Sequence, residues 1–121
     1  MPTDREPQPD CLFCRIVRGD LPATKVAEDD LVLAFDDIAP RSPTHVLVIP
    51  KVHIASAADL TDDDAELLGR LFATVARIAR EAGIADDGYR IVSNIGRWGG
   101  QTVDHLHLHL MGGRAFDWPP G

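Results

Sequence analysis

His105-Leu106-His107-Leu108-His109-Leu110 alternates imidazole and leucine without a break near the end of the chain. On an extended strand successive side chains point to opposite faces, and same-face neighbours lie about 6.8 Å apart. The three leucines can then enter a core while the three imidazoles share the other face. An apolar core gains nothing from a row of imidazoles, because each carries a donor and an acceptor that need partners. Histidine is also a poor strand former beside Val, Ile or Thr, so propensity does not explain the row. The stretch therefore reads as a strand that carries a site. Two chemistries fit it. Imidazole is the commonest metal ligand; alternatively, one ring is a nucleophile whose neighbours fix its tautomer and manage protons.

Upstream, Asn94-Ile95-Gly96-Arg97-Trp98-Gly99-Gly100-Gln101-Thr102 is a glycine-rich connection ending in an amide and a hydroxyl. Glycines permit positive φ and close approach of backbone N–H groups to a ligand. Gly100, Gln101, Thr102 and Asn94 together read as a phosphate-binding loop, although a plain hairpin loop has the same composition. Beside the histidine row, the nucleophile reading fits better.

The remaining pattern gives an α+β order. Cys11–Arg18 reads as a short helix between Asp10 as N-cap and Gly19 as stop. Lys25–Glu28, Leu31–Asp36, His45–Ile49 and Tyr89–Asn94 read as strands. Thr61 caps a long helix whose first turn holds Asp62, Asp63 and Asp64. Leu67, Leu68, Leu71, Phe72, Val75, Ile78, Ala79 and Ala82 form its apolar stripe, and Gly83 ends it. The expected architecture is an antiparallel sheet with the long helix and the short N-terminal helix on one face.

Composition sets bounds on function. A chain of 121 residues, 45% hydrophobic, supports one small core. The first ten residues, with three prolines, four charges and no apolar stretch, read as a disordered lead-in rather than a signal peptide, leaving 11–121 as a single domain. No apolar run reaches the roughly 18 residues of a membrane span. A net charge of −7 argues against a general nucleic-acid binder. The expected compartment is the cytoplasm.

His105-Leu106-His107-Leu108-His109-Leu110-Met111 resembles the signature of the histidine triad family, and Phe35–Pro40, Pro43–Lys51 and Gly99–Thr102 are similar to stretches of the same family. The ending Trp118-Pro119-Pro120-Gly121 resembles the Hint branch of nucleoside phosphoramidases. The resemblance runs from about Cys11 to the C-terminus. It implies that His107 is a nucleophile that becomes nucleotidylated at a nucleotide α-phosphate, that His105 and His109 assist, and that His109 lies nearest the leaving amine. It implies further that Asp37 accepts hydrogen bonds from the ribose hydroxyls of a purine nucleotide, while Asp36 and Asp37 read alone as a solvated turn before Pro40. Leu12, Phe13, Ile16, Phe35 and Ile38 are the apolar residues that could wall the base or belong to the core, and of these Phe13 and Ile38 read as pocket residues. Trp118 would border the site of the partner in a homodimer. The implied reaction is hydrolysis of the P–N bond of a nucleoside 5′-phosphoramidate. Hydrolysis of dinucleoside polyphosphates, or nucleotide-responsive binding with vestigial activity, are the alternatives.

Cys11 and Cys14 form Cys-x-x-Cys at a helix start. Two thiolates and two imidazoles make a closed tetrahedral zinc site. The wider superfamily implies Cys11, Cys14, His45 and His105 as ligands of a structural zinc, with no catalytic metal or organic cofactor. The competing reading is two buried free thiols. His53, before Ile54-Ala55, reads as a structural or surface histidine rather than a ligand.

Overall fold

A computed structural model describes residues 5–121 of the chain. Its elements run α1 (Leu12–Arg18), β1 (Lys25–Glu28), β2 (Val32–Asp36), β3 (Thr44–Pro50), α2 (Ala65–Glu81), β4 (Tyr89–Val92) and β5 (Leu108–Gly112). The five strands form one antiparallel sheet in the order β1-β2-β3-β5-β4. The last strand thus inserts between β3 and β4. Its neighbours pair Leu47 and Val92 with His109 from either side.

The two faces of the sheet hold different cores. Val32, Ala34, Val46, Val48, Leu108 and Leu110 meet Leu71, Val75, Ile78 and Ala79 of α2. Leu33, Phe35, Leu47 and Ile49 point the other way and meet Phe13 and Ile16 of α1. The expected α+β antiparallel sheet with two helices is present, but the helices do not share a face. The physical reason lies in β2 and β3. Their buried residues run without alternation, Val32-Leu33-Ala34-Phe35 and Val46-Leu47-Val48-Ile49. Such runs belong to strands covered on both sides. α1 therefore covers the face that carries the histidines.

Local chemistry sets the helix ends. The Cys11 thiol, not Asp10, caps α1 by accepting the Cys14 N–H at 3.2 Å, and Gly19 closes it at φ +86°. Thr61 and Asp64 form a reciprocal capping box across a short 3₁₀ turn, Asp62–Asp64, that leads into α2. Phe72 departs from the predicted stripe and is half exposed, while Thr74 is buried.

The lead-in expected to be disordered is engaged from Arg5 onward; its residues 1–4 lie outside the described part. The Arg5 guanidinium makes two hydrogen bonds to the Asp64 carboxylate, at 2.6 and 2.9 Å, and its carbonyl accepts the His53 N–H at 2.8 Å. Arg5 first, and the Thr61 N–H second, pull the Asp64 carboxyl from its ordinary 3.8 down to about 2. Because the folded value is depressed, this contribution is complete above the ordinary value and is lost as pH falls through about 2. Arg5→Ala should cost about 1 kcal/mol in urea unfolding at neutral pH. The difference between variant and parent should shrink as acid is added across that interval.

Candidate active site and metal cluster

His105, Leu106 and His107 precede the ladder of β5 rather than lying in it. Val48 pairs with Leu108, and Pro50, near the end of β3, has no N–H to extend the ladder. The chain instead sends the Leu106 N–H to the Ile54 carbonyl at 2.6 Å. Side-chain alternation nevertheless persists: Leu106 joins the α2 core, while His105 and His107 are buried on the α1 side.

His107 Nδ1 lies 2.7 Å from the His105 carbonyl. A carbonyl only accepts, so Nδ1 carries a proton, and in the neutral ring Nε2 keeps its lone pair. The ring stands edge-on to Phe13, with centroids 5.2 Å apart, and to His109 at 5.0 Å. His107 and His109 line a cavity of about 390 Å³ together with Phe13, Phe35, Asp37, Ile38 and Thr102. Its size and apolar walls suit a nucleoside.

His109 is braced from behind. Its Nδ1 is 2.9 Å from His45 Nε2, and His45 Nδ1 accepts the Arg41 N–H at 3.0 Å. Asp37 Oδ2 lies 3.4 Å from the same His45 Nε2. Burial, and then the neighbouring His107, push His109 down to about 4. The unfolded chain takes up that proton near the ordinary 6.5, so this group removes stability as pH falls from there towards 4.

A second cluster surrounds His105. Its Nε2 donates to the Pro50 carbonyl at 2.9 Å, which leaves the Nδ1 lone pair facing Cys11 Sγ at 3.3 Å and Cys14 Sγ at 3.5 Å. His53 Nδ1 is 3.3 Å from Cys14 Sγ. The ligand atoms of Cys11, Cys14, His53 and His105 all lie within 4.8 Å of one another, close enough to bind a metal ion. Burial above all pushes the Cys11 thiol up to about 11, so metal loading must release protons.

His45 is not part of that set; His53 takes the expected place. Antiparallel register decides this. His45 lies at the start of β3 and pairs with Met111 late in β5, whereas His105 lies near the other end, beside Pro50. The chain leaving β3 brings His53 back to the cysteines. His45 instead meets His109 through a hydrogen bond and Asp37 at 3.4 Å, and the ligand atoms of these three residues also fall within 4.8 Å of one another.

The other predicted residues divide. Phe13, Asp37, Ile38 and Thr102 line the cavity, Ile38 as an almost fully exposed residue at its rim. Asn94 spends its amide on the Gly99 carbonyl at 2.7 Å. Gln101 donates to Ala55 and Val103 and accepts the Gly96 N–H, so it braces the loop rather than facing the cavity. Gly100 supplies the positive φ of +80° that the loop requires. Trp118 is 83% exposed and does not reach the site within one chain. The residues that sequence reasoning missed are His53 as a member of the cluster that could hold a metal and His45 as the partner of His109. A Cβ on Gly99 would sit 2.2 Å from the Ile95 carbonyl oxygen. Gly99→Ala must therefore shift the loop, and kcat/KM should fall about tenfold to a hundredfold with little change in thermal stability.

An antiparallel sheet that sets an oriented imidazole at the edge of a cavity of about 390 Å³ is the arrangement of an enzyme that works by nucleophilic attack. The family model of the HIT domain matches residues 18–116, and the chain belongs to the HIT family. It is a hydrolase of that family. It is 47% identical over 103 residues to the purine nucleoside phosphoramidase of Escherichia coli, covering 85% of this chain and 87% of that one. An uncharacterized HIT-like protein of Synechococcus elongatus is 53% identical over 112 residues, 93% of this chain and 97% of that one. The structure of a HIT family hydrolase from Legionella pneumophila superposes with a TM-score of 0.91 at 52% identity, over 93% of this chain and 100% of that chain.

Proposed function

We propose that the protein hydrolyses the P–N bond of purine nucleoside 5′-phosphoramidates through a nucleotidyl-His107 intermediate. The observation that carries this reading is the fixed tautomer of His107, whose ring borders the cavity with Nε2 unprotonated. In the first step Nε2 attacks the α-phosphorus, the P–N bond breaks, and the amine leaves with the bonding pair and takes a proton from solvent. In the second, water attacks the same phosphorus and gives up a proton to solvent, the P–Nε2 bond breaks with its pair returning to Nε2, and a nucleoside monophosphate departs. Asp37 accepts from the ribose hydroxyls, and the apolar walls take the base. The 47% identity to a purine nucleoside phosphoramidase supports this choice of substrate.

The metal of the second cluster is zinc in this reading. Ligands at 2.3 Å for sulfur and 2.0–2.1 Å for nitrogen stand about 3.6 Å apart around a tetrahedral zinc. The sulfur–nitrogen contacts of 3.3–3.5 Å agree with that spacing. Zinc there holds His105 and takes no part in bond breaking. The protein acts as a homodimer in the cytoplasm, with the exposed Trp118 covered by the partner. Among the described residues no helix is long and apolar enough to cross a membrane.

Comparing turnover of an adenosine phosphoramidate with that of a diadenosine polyphosphate tests the substrate. The phosphoramidate should have the higher kcat/KM; a clear preference for the polyphosphate would overturn the assignment.

A further inference from the structure

Leu12 and Phe13, the two residues between Cys11 and Cys14, both line the cavity beside His107. The Phe13 ring is buried and stands edge-on to three others: Phe35 of the cavity wall at 5.5 Å, His105 of the cluster at 5.9 Å and His107 at 5.2 Å. The cavity and the cluster share a second wall. Leu12, Thr102 and Val103 line the cavity and also a neighbouring hollow of about 410 Å³, to which Cys11 and His53 contribute. α1 has seven residues, too few to hold a helix unaided, and its N-cap is a sulfur, a weak acceptor. The contacts of Cys11 and Cys14 with His53 and His105 tie its first turn to the segments after β3 and before β5. An ion held by those four side chains fixes the turn that carries Phe13, and a base packed on Phe13 fixes the same turn.

We propose that the metal cluster and the nucleoside cavity are coupled through Phe13, so that a bound ion tightens the hold on the base and a bound base tightens the hold on the ion. Such coupling is reciprocal in free energy and typically amounts to about 5-fold to 150-fold in affinity. The inference rests on the zinc and nucleotide readings above. It adds to them that the ion acts on recognition of the base as well as on stability, and that occupancy of one site is felt at the other.

The test is the zinc affinity of the protein, measured at equilibrium against a chromogenic chelator, with adenosine monophosphate or with ribose 5-phosphate present. Both ligands offer a ribose and a phosphate, but only the first brings a base to Phe13. Set to the same ratio of concentration to dissociation constant, the two stabilise the folded chain equally, so a general effect on folding cancels in the comparison. Adenosine monophosphate should raise the zinc affinity about tenfold more than ribose 5-phosphate does. Phe13→Leu keeps an apolar side chain and removes the ring. In that variant, checked for folding by its melting curve, the difference between the two ligands should shrink to less than about twofold. Equal effects of the two ligands on the parent protein overturn the proposal, and so does a folded Phe13→Leu variant that keeps the full difference. A parent protein that takes up no zinc fails the zinc reading, one that binds zinc but neither ligand fails the nucleotide reading, and either result removes the coupling as well.

Discussion

His107→Ala should lose turnover of an adenosine phosphoramidate by at least about 10⁴-fold. Nucleotide binding should stay within about tenfold, roughly 1.4 kcal/mol. The two halves of this expectation come from different parts of the structure. Within the cavity lining, His107 is the ring whose free nitrogen carries a lone pair, because His109 turns its Nδ1 to His45 and His105 turns its Nδ1 to the thiols. Removing it leaves no nitrogen nucleophile there. The apolar walls and Asp37 remain in place to hold nucleoside and ribose. Turnover and calorimetric binding of a nucleoside monophosphate, measured on the same folded sample, check both halves. Substantial residual turnover would rule out covalent catalysis by this residue.

Cys11→Ser with Cys14→Ser should produce the second large effect, this time on stability. Purified parent protein should carry close to one zinc per chain, and the double variant none. Binding to a site assembled only in the folded chain stabilises that chain. A loss of about 3 kcal/mol would lower the melting temperature by roughly 10–20 °C in a domain of this size. The site joins the start of α1, the segment after β3 and the segment before β5, so releasing it loosens three parts of the chain at once. Turnover should fall only partly. His105 keeps its bond to the Pro50 carbonyl, and its own carbonyl still holds His107. Metal analysis and thermal unfolding of protein purified without chelators or an affinity tag read both effects. Equal melting temperatures, with no zinc in the reduced, active parent, would remove the metal from the account.

The His-Leu alternation made the last strand and its two faces legible, because period two has one structural meaning when one residue type is apolar and the other is not. It did not show where the ladder stops, since that depends on Pro50 in a partner strand. The face covered by α1 was hidden for a related reason: β2 and β3 are apolar on both sides, and a continuous run does not say which helix covers which side. The choice between His45 and His53 required the register of β3 against β5. Antiparallel pairing alone carries a usable signal there, since it brings the first histidine of the row to the end of β3 and the last one to its start. Gln101 and Asn94 were legible as loop residues but not as loop braces, because an amide suits a phosphate and a carbonyl equally well. Nor did composition reveal Arg5, whose partner Asp64 lies 59 positions away.

Catalysis by His107 requires a covalent nucleotidyl intermediate. Protein mixed with an adenosine phosphoramidate and quenched in alkaline denaturant, where phosphohistidine bonds persist, can be weighed intact and then mapped by peptide. The expected result is one added nucleotidyl group per chain, carried on His107, which appears before the first turnover is complete and decays as monophosphate is released. Steady turnover with no adduct on the protein, or with the nucleotidyl group on another residue, would contradict it.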